Sequence, residues 1–169
     1  MSKDNNKSQV ILGSKSLRLV EAAKNGRTKK VKALLDAGAW DDDAVLFAAV
    51  RDHAETLRVL IENIPPTQDR NDLLRGAMTV AVPCGCTEAV KVLLDAGAKD
   101  DEALFWAISF EQKETVKVLL DAGVEIDEGA LSNAEATEER RREILPILRD
   151  HLARRKAGQA VPPPDFPNP

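Results

Sequence analysis

The eight residues VKVLLDAG occur twice, as Val90–Gly97 and Val116–Gly123, 26 residues apart. A phrase that returns at so short a period marks a structural unit too small to be a domain alone. The longer copies are LVEAAKNGRTKKVKALLDAGA (Leu19–Ala39), VLFAAVRDHAETLRVLIENIP (Val45–Pro65), MTVAVPCGCTEAVKVLLDAGA (Met78–Ala98) and LFWAISFEQKETVKVLLDAGV (Leu104–Val124). Their anchor residues Val31, Leu57, Val90 and Val116 are spaced 26, 33 and 26 residues apart. A weaker fifth copy, REILPILRDHL, puts Ile144 at the anchor, 28 residues further on.

Each copy reads as two short helices. The first carries apolar or small residues at i, i+3 and i+4: Leu19, Ala22, Ala23; Val45, Ala48, Ala49; Met78, Ala81, Val82; Leu104, Ala107, Ile108. That spacing is one helix face. Alanine at the second of these positions in all four copies lets a neighbouring helix come close. The second helix repeats the pattern with Val31, Leu34 and Leu35 and their equivalents, and Gly38, Gly97 and Gly123 end it. Copy two ends at Ile64 and Pro65-Pro66 instead. Two such helices cannot cover their own apolar faces, so the copies are expected to stack as a solenoid.

The pattern of Leu-x-x-Ala-Ala, a Gly-centred turn and Val-Lys-x-Leu-Leu-x-Ala-Gly-Ala resembles the ankyrin repeat, well over Leu17 to Val124 and loosely to Ala157. The resemblance implies an all-α ankyrin-like solenoid of about four repeats plus a degenerate C-terminal capping helix pair. Ankyrin units run about 33 residues, so the 26-residue spacings are short. The shortfall lies where the family builds its β-hairpin fingers. The connectors AWDDD, AKDDE and VEIDEG lack the finger signatures, so the fingers are expected to be mostly lost, with the long connector Pro65 to Asp72 keeping part of one.

The chain of 169 residues divides into a polar, flexible segment 1–14, a repeat domain 15–157 and a proline-rich extended tail 158–169. The C-terminal helix is expected over roughly Glu138 to Lys156, with Pro146 near a first turn or at a kink. Net charge is −4 and no apolar run reaches membrane-helix length, which argues against nucleic acid, membrane spanning and a signal peptide and for a cytoplasmic protein.

No motif supports catalysis, a cofactor or a metal site. Cys84 and Cys86 are the only cysteines and read as buried or half-buried free thiols. His53 falls in a turn and reads as a backbone-bonding residue; His151 reads as solvated. The acids Asp41–Asp43, Asp100–Glu102 and Glu125, Asp127, Glu128 stand where each first helix begins. Capping explains their positions. Aligned by stacking, they would also make a ridge that steers a basic peptide. Calcium fits less well, because the acids lie one repeat apart.

The other face of the first helices holds Glu21, Lys24, Asn25; Phe47, Val50, Arg51; Val80, Pro83, Cys84; and Trp106, Ser109, Phe110. In ankyrin-like stacks this side lines the concave surface that grips partners. The expected contact set is Phe47, Val50, Arg51, Val80, Trp106, Ser109 and Phe110, with Asp42, Asp43, Asp101 and Glu102 steering charge. The expected partner is another protein, met by a monomer through an apolar anchor with basic flanks. Three rival readings stand beside it. The strip is covered or self-associates; the lysines of the second helices (Lys29, Lys30, Lys32, Arg58, Lys91, Lys117) meet an anionic surface; or Pro164-x-x-Pro167 serves as an SH3-type ligand.

Overall fold

A computed structural model describes residues 3–158, with side chains from Gly13 onward. The first helices are α1 (Lys3–Lys24), α3 (Asp42–Val50), α5 (Arg70–Ala81), α7 (Ala103–Ser109) and α9 (Glu128–Glu135). The second helices are α2 (Thr28–Asp36), α4 (Ala54–Glu62), α6 (Thr87–Asp95), α8 (Lys113–Asp121) and the broken pair α10 (Glu138–Glu143) and α11 (Leu145–Lys156). Helices α2, α4, α6 and α8 form one row; α1, α3 and α5 pack side by side in the other, as do α7 and α9. Among the described residues there is no strand. The chain is an all-α repeat solenoid.

Between the rows lies a continuous core. Ala22, Ala48, Ala81 and Ala107 are buried to within 1%, and Val31, Leu57, Val90, Val116 and Ile144 are fully buried. Each anchor contributes about 1.5–3 kcal/mol by leaving water. That burial exists only because the neighbouring unit supplies the other wall.

In the first, third and fourth units both turns use the same terminator. At the end of α2 the Ala39 N–H reaches the Leu34 carbonyl at 2.9 Å and the Gly38 N–H the Leu35 carbonyl at 2.8 Å, around Gly38 at φ +77°. This is a Schellman end, and α6 and α8 repeat it at Gly97 and Gly123. The turn from first to second helix is another, with Gly26, Asp52, Gly85 and Glu111 as the left-handed residues. The next residue in each (Arg27, His53, Cys86, Gln112) sits near φ −80°, ψ 70°, an inverse γ-turn that starts the second helix.

These turns also join the units. His53 Nε2 lies 3.1 Å from the Lys24 carbonyl, Cys86 Sγ donates to the Val50 carbonyl at 3.3 Å, Gln112 Nε2 to Pro83 at 3.0 Å and Arg140 to Ser109 at 2.7 Å. Each side chain therefore reaches back to the same carbonyl position of the preceding first helix. The junctions alternate in two chemistries. At the first and third, glycine holds the left-handed position and the next turn packs on it, while Thr28 meets Thr56 and Thr87 meets Thr115. At the second and fourth, an acid takes that position and grips the next unit. Asp52 accepts the Ala89 N–H at 2.7 Å, and Glu111 faces Arg140 at 3.4 Å. The fold thus repeats every two units, an offset of 59 residues that carries Leu19 onto Met78 and Val31 onto Val90.

Several expectations need correction. The long connector keeps no partial finger. Its extra residues form a turn closed by the Gln68 N–H on Pro65, and α5 starts early, at Arg70, with Asp69 capping it through the Asp72 N–H. With no glycine there, α4 ends on side chains: Asn63 donates to the Val59 carbonyl and Arg70 to Ile61. The C-terminal helix expected over Glu138 to Lys156 is interrupted at Ile144, and Pro146 stands in the first turn of α11, one of the two places expected for it, because it has no N–H to donate and its ring crowds the carbonyl a turn back. The backbone of α1 is helical from Lys3, whereas the sequence put residues 1–14 outside the helical units. The tail 158–169 lies outside the described residues apart from Gly158.

The last junction is the most polar. Asn133 of α9 stands where the other units carry the core alanine; its amide donates to the Phe105 carbonyl at 3.0 Å and the Ser109 hydroxyl at 2.7 Å. Arg140 closes the set by donating to Asn133 Oδ1 at 2.8 Å. Lys113 pairs with Glu143 across the same junction and holds that carboxyl below its usual range.

Two predictions follow from these contacts. Gly38→Ala is expected to cost about 1–2 kcal/mol from its left-handed backbone alone. Gly85→Ala should cost about 1 kcal/mol more, because its Cβ would stand 2.2 Å from Gln112 and displace that rung. Urea unfolding midpoints of the two variants check the difference. Arg140→Ala should cost about 2–3 kcal/mol, with hydrogen exchange rising first in α9 to α11 while α2 to α6 keep their protection.

Candidate functional site

The outward face of the first helices is not uniform. On α3, Phe47 and Val50 are half-buried, and Lys24 Nζ lies 5.7 Å from the centroid of the Phe47 ring, a cation–π contact. Arg51 is exposed at the end of α3, and Val80 is half-buried on α5. On α7 the face changes character. Trp106 meets Phe110 at 6.2 Å between centroids and Phe105 edge-on at 5.4 Å. Phe105 is 43% exposed and Phe110 52%. Helix α7 and its C-cap residue thus put three aromatic rings together at the surface, with Trp106 half-buried between the two phenylalanines.

Of the expected contact residues, the structure brings Trp106 and Phe110 into contact; Phe47, Val50 and Val80 hold equivalent places on neighbouring helices. Ser109 is engaged by the cap, its hydroxyl by Asn133 and its carbonyl by Arg140. Phe105 was missed. It occupies the position that holds Val20, Leu46 and Leu131 in other copies, one that faces the next first helix. The signal was the run Leu104-Phe105-Trp106, in which two consecutive rings cannot both enter a core walled by alanines.

Two of the acids cap. Asp41 accepts the Asp43 N–H and Asp127 the Ala130 N–H at 2.6 Å, whereas Asp100 accepts the Glu102 N–H at 3.0 Å in the turn before α7, whose N-cap Glu102 makes no side-chain cap bond. Two others hold tryptophans: Asp42 accepts the indole N–H of Trp40 at 2.8 Å, and Glu102 that of Trp106 at 3.1 Å. Asp43 and Asp101 are exposed. On the second helices, Lys91 pairs with Glu88 and Lys117 with Glu114, so acids offset part of the basic face.

Residues 19–102 match the family model for ankyrin repeats in three copies, the span of the first three units. The chain belongs to the ankyrin-repeat family. A search of curated proteins returns no match to the chain. Ankyrin repeats are protein–protein interaction modules, and the fourth unit and the broken cap extend the stack beyond the matched residues. The fingers of these repeats are reduced to turns. Among the described residues no three of His, Cys, Asp and Glu stand close enough to hold a metal ion, and no helix is long and apolar enough to cross a membrane.

Two single-residue expectations change. Cys84 is exposed, not half-buried, because it lies on the outward side of the turn after α5. His151 is buried, not solvated, because it follows Leu148 by three residues on the inner face of α11. His53 bonds to backbone, as its place in a turn implied.

Burial pushes the Cys86 thiol above its ordinary 9.0, and the charges of Asp52 and Cys84 add to the effect. The folded chain therefore holds this proton more tightly than the unfolded chain does. The resulting stability is present below pH 9.0 and declines above it, where the unfolded thiol ionises first. Under native conditions at pH 8, maleimide labelling followed by mass spectrometry should show fast single modification at Cys84. Cys86 should react only after urea unfolds the chain.

Proposed function

We propose that this protein is a non-catalytic binding module that grips another protein on the face of its first helices. Phe105, Trp106 and Phe110 serve as the central anchor, with Phe47, Val50 and Val80 extending the contact toward the N-terminal units. The observation that carries this reading is the exposure of the α7 aromatics: three touching rings at a surface mark a place where another molecule completes the burial. Tryptophan with aromatic neighbours is a frequent hot-spot arrangement.

The fitting partner presents an apolar side chain, from a helix or an extended segment, to the aromatic cluster. Its basic flanks would meet Asp43 and Asp101 at the starts of the first helices. Glu102 contributes by orienting the Trp106 indole, and Asp42 by holding Trp40. The protein works as a cytoplasmic monomer on this reading.

Affinity capture with the intact chain and with a Trp106→Ala, Phe110→Ala double variant tests the assignment. The variant should keep the helical circular dichroism and cooperative unfolding of the parent and lose its specific partners. Recovery of the same proteins by both baits would place the contact elsewhere. Sedimentation velocity over a range of concentrations tests the self-association reading. A dimer abolished by the double variant would mean that the aromatic face binds a second copy instead.

A further inference from the structure

The connectors differ in what they lay over the core, and the 59-residue offset makes one the control for another. In the first connector Trp40 is half-buried against the core and donates its indole N–H to Asp42 at 2.8 Å. The offset puts Lys99 where Trp40 stands and Asp101 where Asp42 stands. Lys99 and Asp101 are exposed, and Asp101 has no hydrogen-bond or ion-pair partner among the described residues. Beside them, between residues 97–103 and 122–127, a slot of about 580 Å³ is open to solvent. Met78, Leu94, Leu119 and Val124 line it, with Asp101 and Glu125 at its edge.

We infer that this slot receives an arginine side chain from an extended segment of a partner protein, with Asp101 as the carboxylate that accepts its guanidinium N–H groups. The first connector shows the required geometry within the same chain: a flat group lies against the core and aims an N–H at this acid. The third connector keeps the acid and the apolar lining and lacks the flat group. The charge of the slot selects which flat donor fits. Asp100, Asp101, Glu125 and Asp127 outnumber the single cation Lys99 among its lining residues, which favours a cation over an indole. Guanidinium is planar, weakly hydrated and able to lie on apolar surface while donating in its plane; an ammonium is compact and strongly hydrated. Trp106 and Phe110 are not among the lining residues, so this contact is separate from the aromatic face.

The test is a titration of the full-length ¹⁵N-labelled protein with acetyl-Gly-Arg-Gly-amide, followed by amide chemical shifts, with the Lys and Trp tripeptides as comparators. The arginine peptide should shift amides in 97–101 and 122–125 saturably, and bind at least about threefold tighter than the lysine peptide. Lys99→Trp, which restores the arrangement of the first connector, should abolish those shifts. Asp101→Asn, at an exposed site without partners, should weaken binding about threefold or more. The Trp106→Ala, Phe110→Ala variant should bind the peptide unchanged, which separates this site from the aromatic one. Equal response to arginine and lysine, tighter binding of the tryptophan peptide, or shifts that persist in Lys99→Trp and Asp101→Asn would overturn the inference.

Discussion

A helix of nine residues does not hold itself together in water; isolated helices need more than a dozen residues before they become even marginal. Most of the helices here are that short or shorter. What keeps them is the wall that each receives from the next unit. Ala22, Ala48, Ala81 and Ala107 are central because a side chain of one carbon lets first helices approach closely enough for anchors such as Leu57 and Val90 to be fully covered. Stability in such a stack is a property of junctions and passes from neighbour to neighbour.

The junctions show two solutions to one geometric requirement. One residue in the turn after α1, α3, α5 and α7 must adopt the left-handed conformation. Glycine does so without strain but offers no side chain, so at those junctions the next unit comes down onto the turn, through His53 or Gln112. Asp52 and Glu111 carry the strain of a side chain at positive φ and use its carboxylate to hold the following unit. The same trade recurs at the last junction, where Asn133 replaces a core alanine and, with Arg140, joins α9 and α10 to the preceding unit by hydrogen bonds to Phe105 and Ser109.

This division explains what was legible in the sequence. Periodicity follows from burial, so the helix pairs, their register and the core alanines could be read directly from Val31, Leu57, Val90 and Val116. The capping acids were legible because capping is local. The junction rungs were not, since His53, Cys86, Gln112 and Arg140 share a structural position without sharing a residue type. Burial of His151 was hidden by its charged neighbours: the face it shares with Leu148 is clear only once Pro146 is known to restart the helix. Phe105 was obscured for the opposite reason. Its register placed it toward a neighbour, and its size kept it from fitting there.

Loss of the fingers changes where such a stack can make contact. A projecting hairpin would cover the edge of the core at each connector and carry the recognition groups away from it. With connectors reduced to turns, the edge of the core must be closed by a residue of the connector itself or left for another molecule. The first connector closes it with Trp40. The third places Lys99 there, exposed, and leaves the half-buried Leu94 and Val124 beside open space. The aromatics of α7 obey the same logic on the other surface. Rings as large as Phe105 and Phe110 do not fit an alanine-walled core, so they remain at the surface. The chain has few aromatics, 4% of its residues, and two of them, on α7 and at its C-cap, are more than two-fifths exposed.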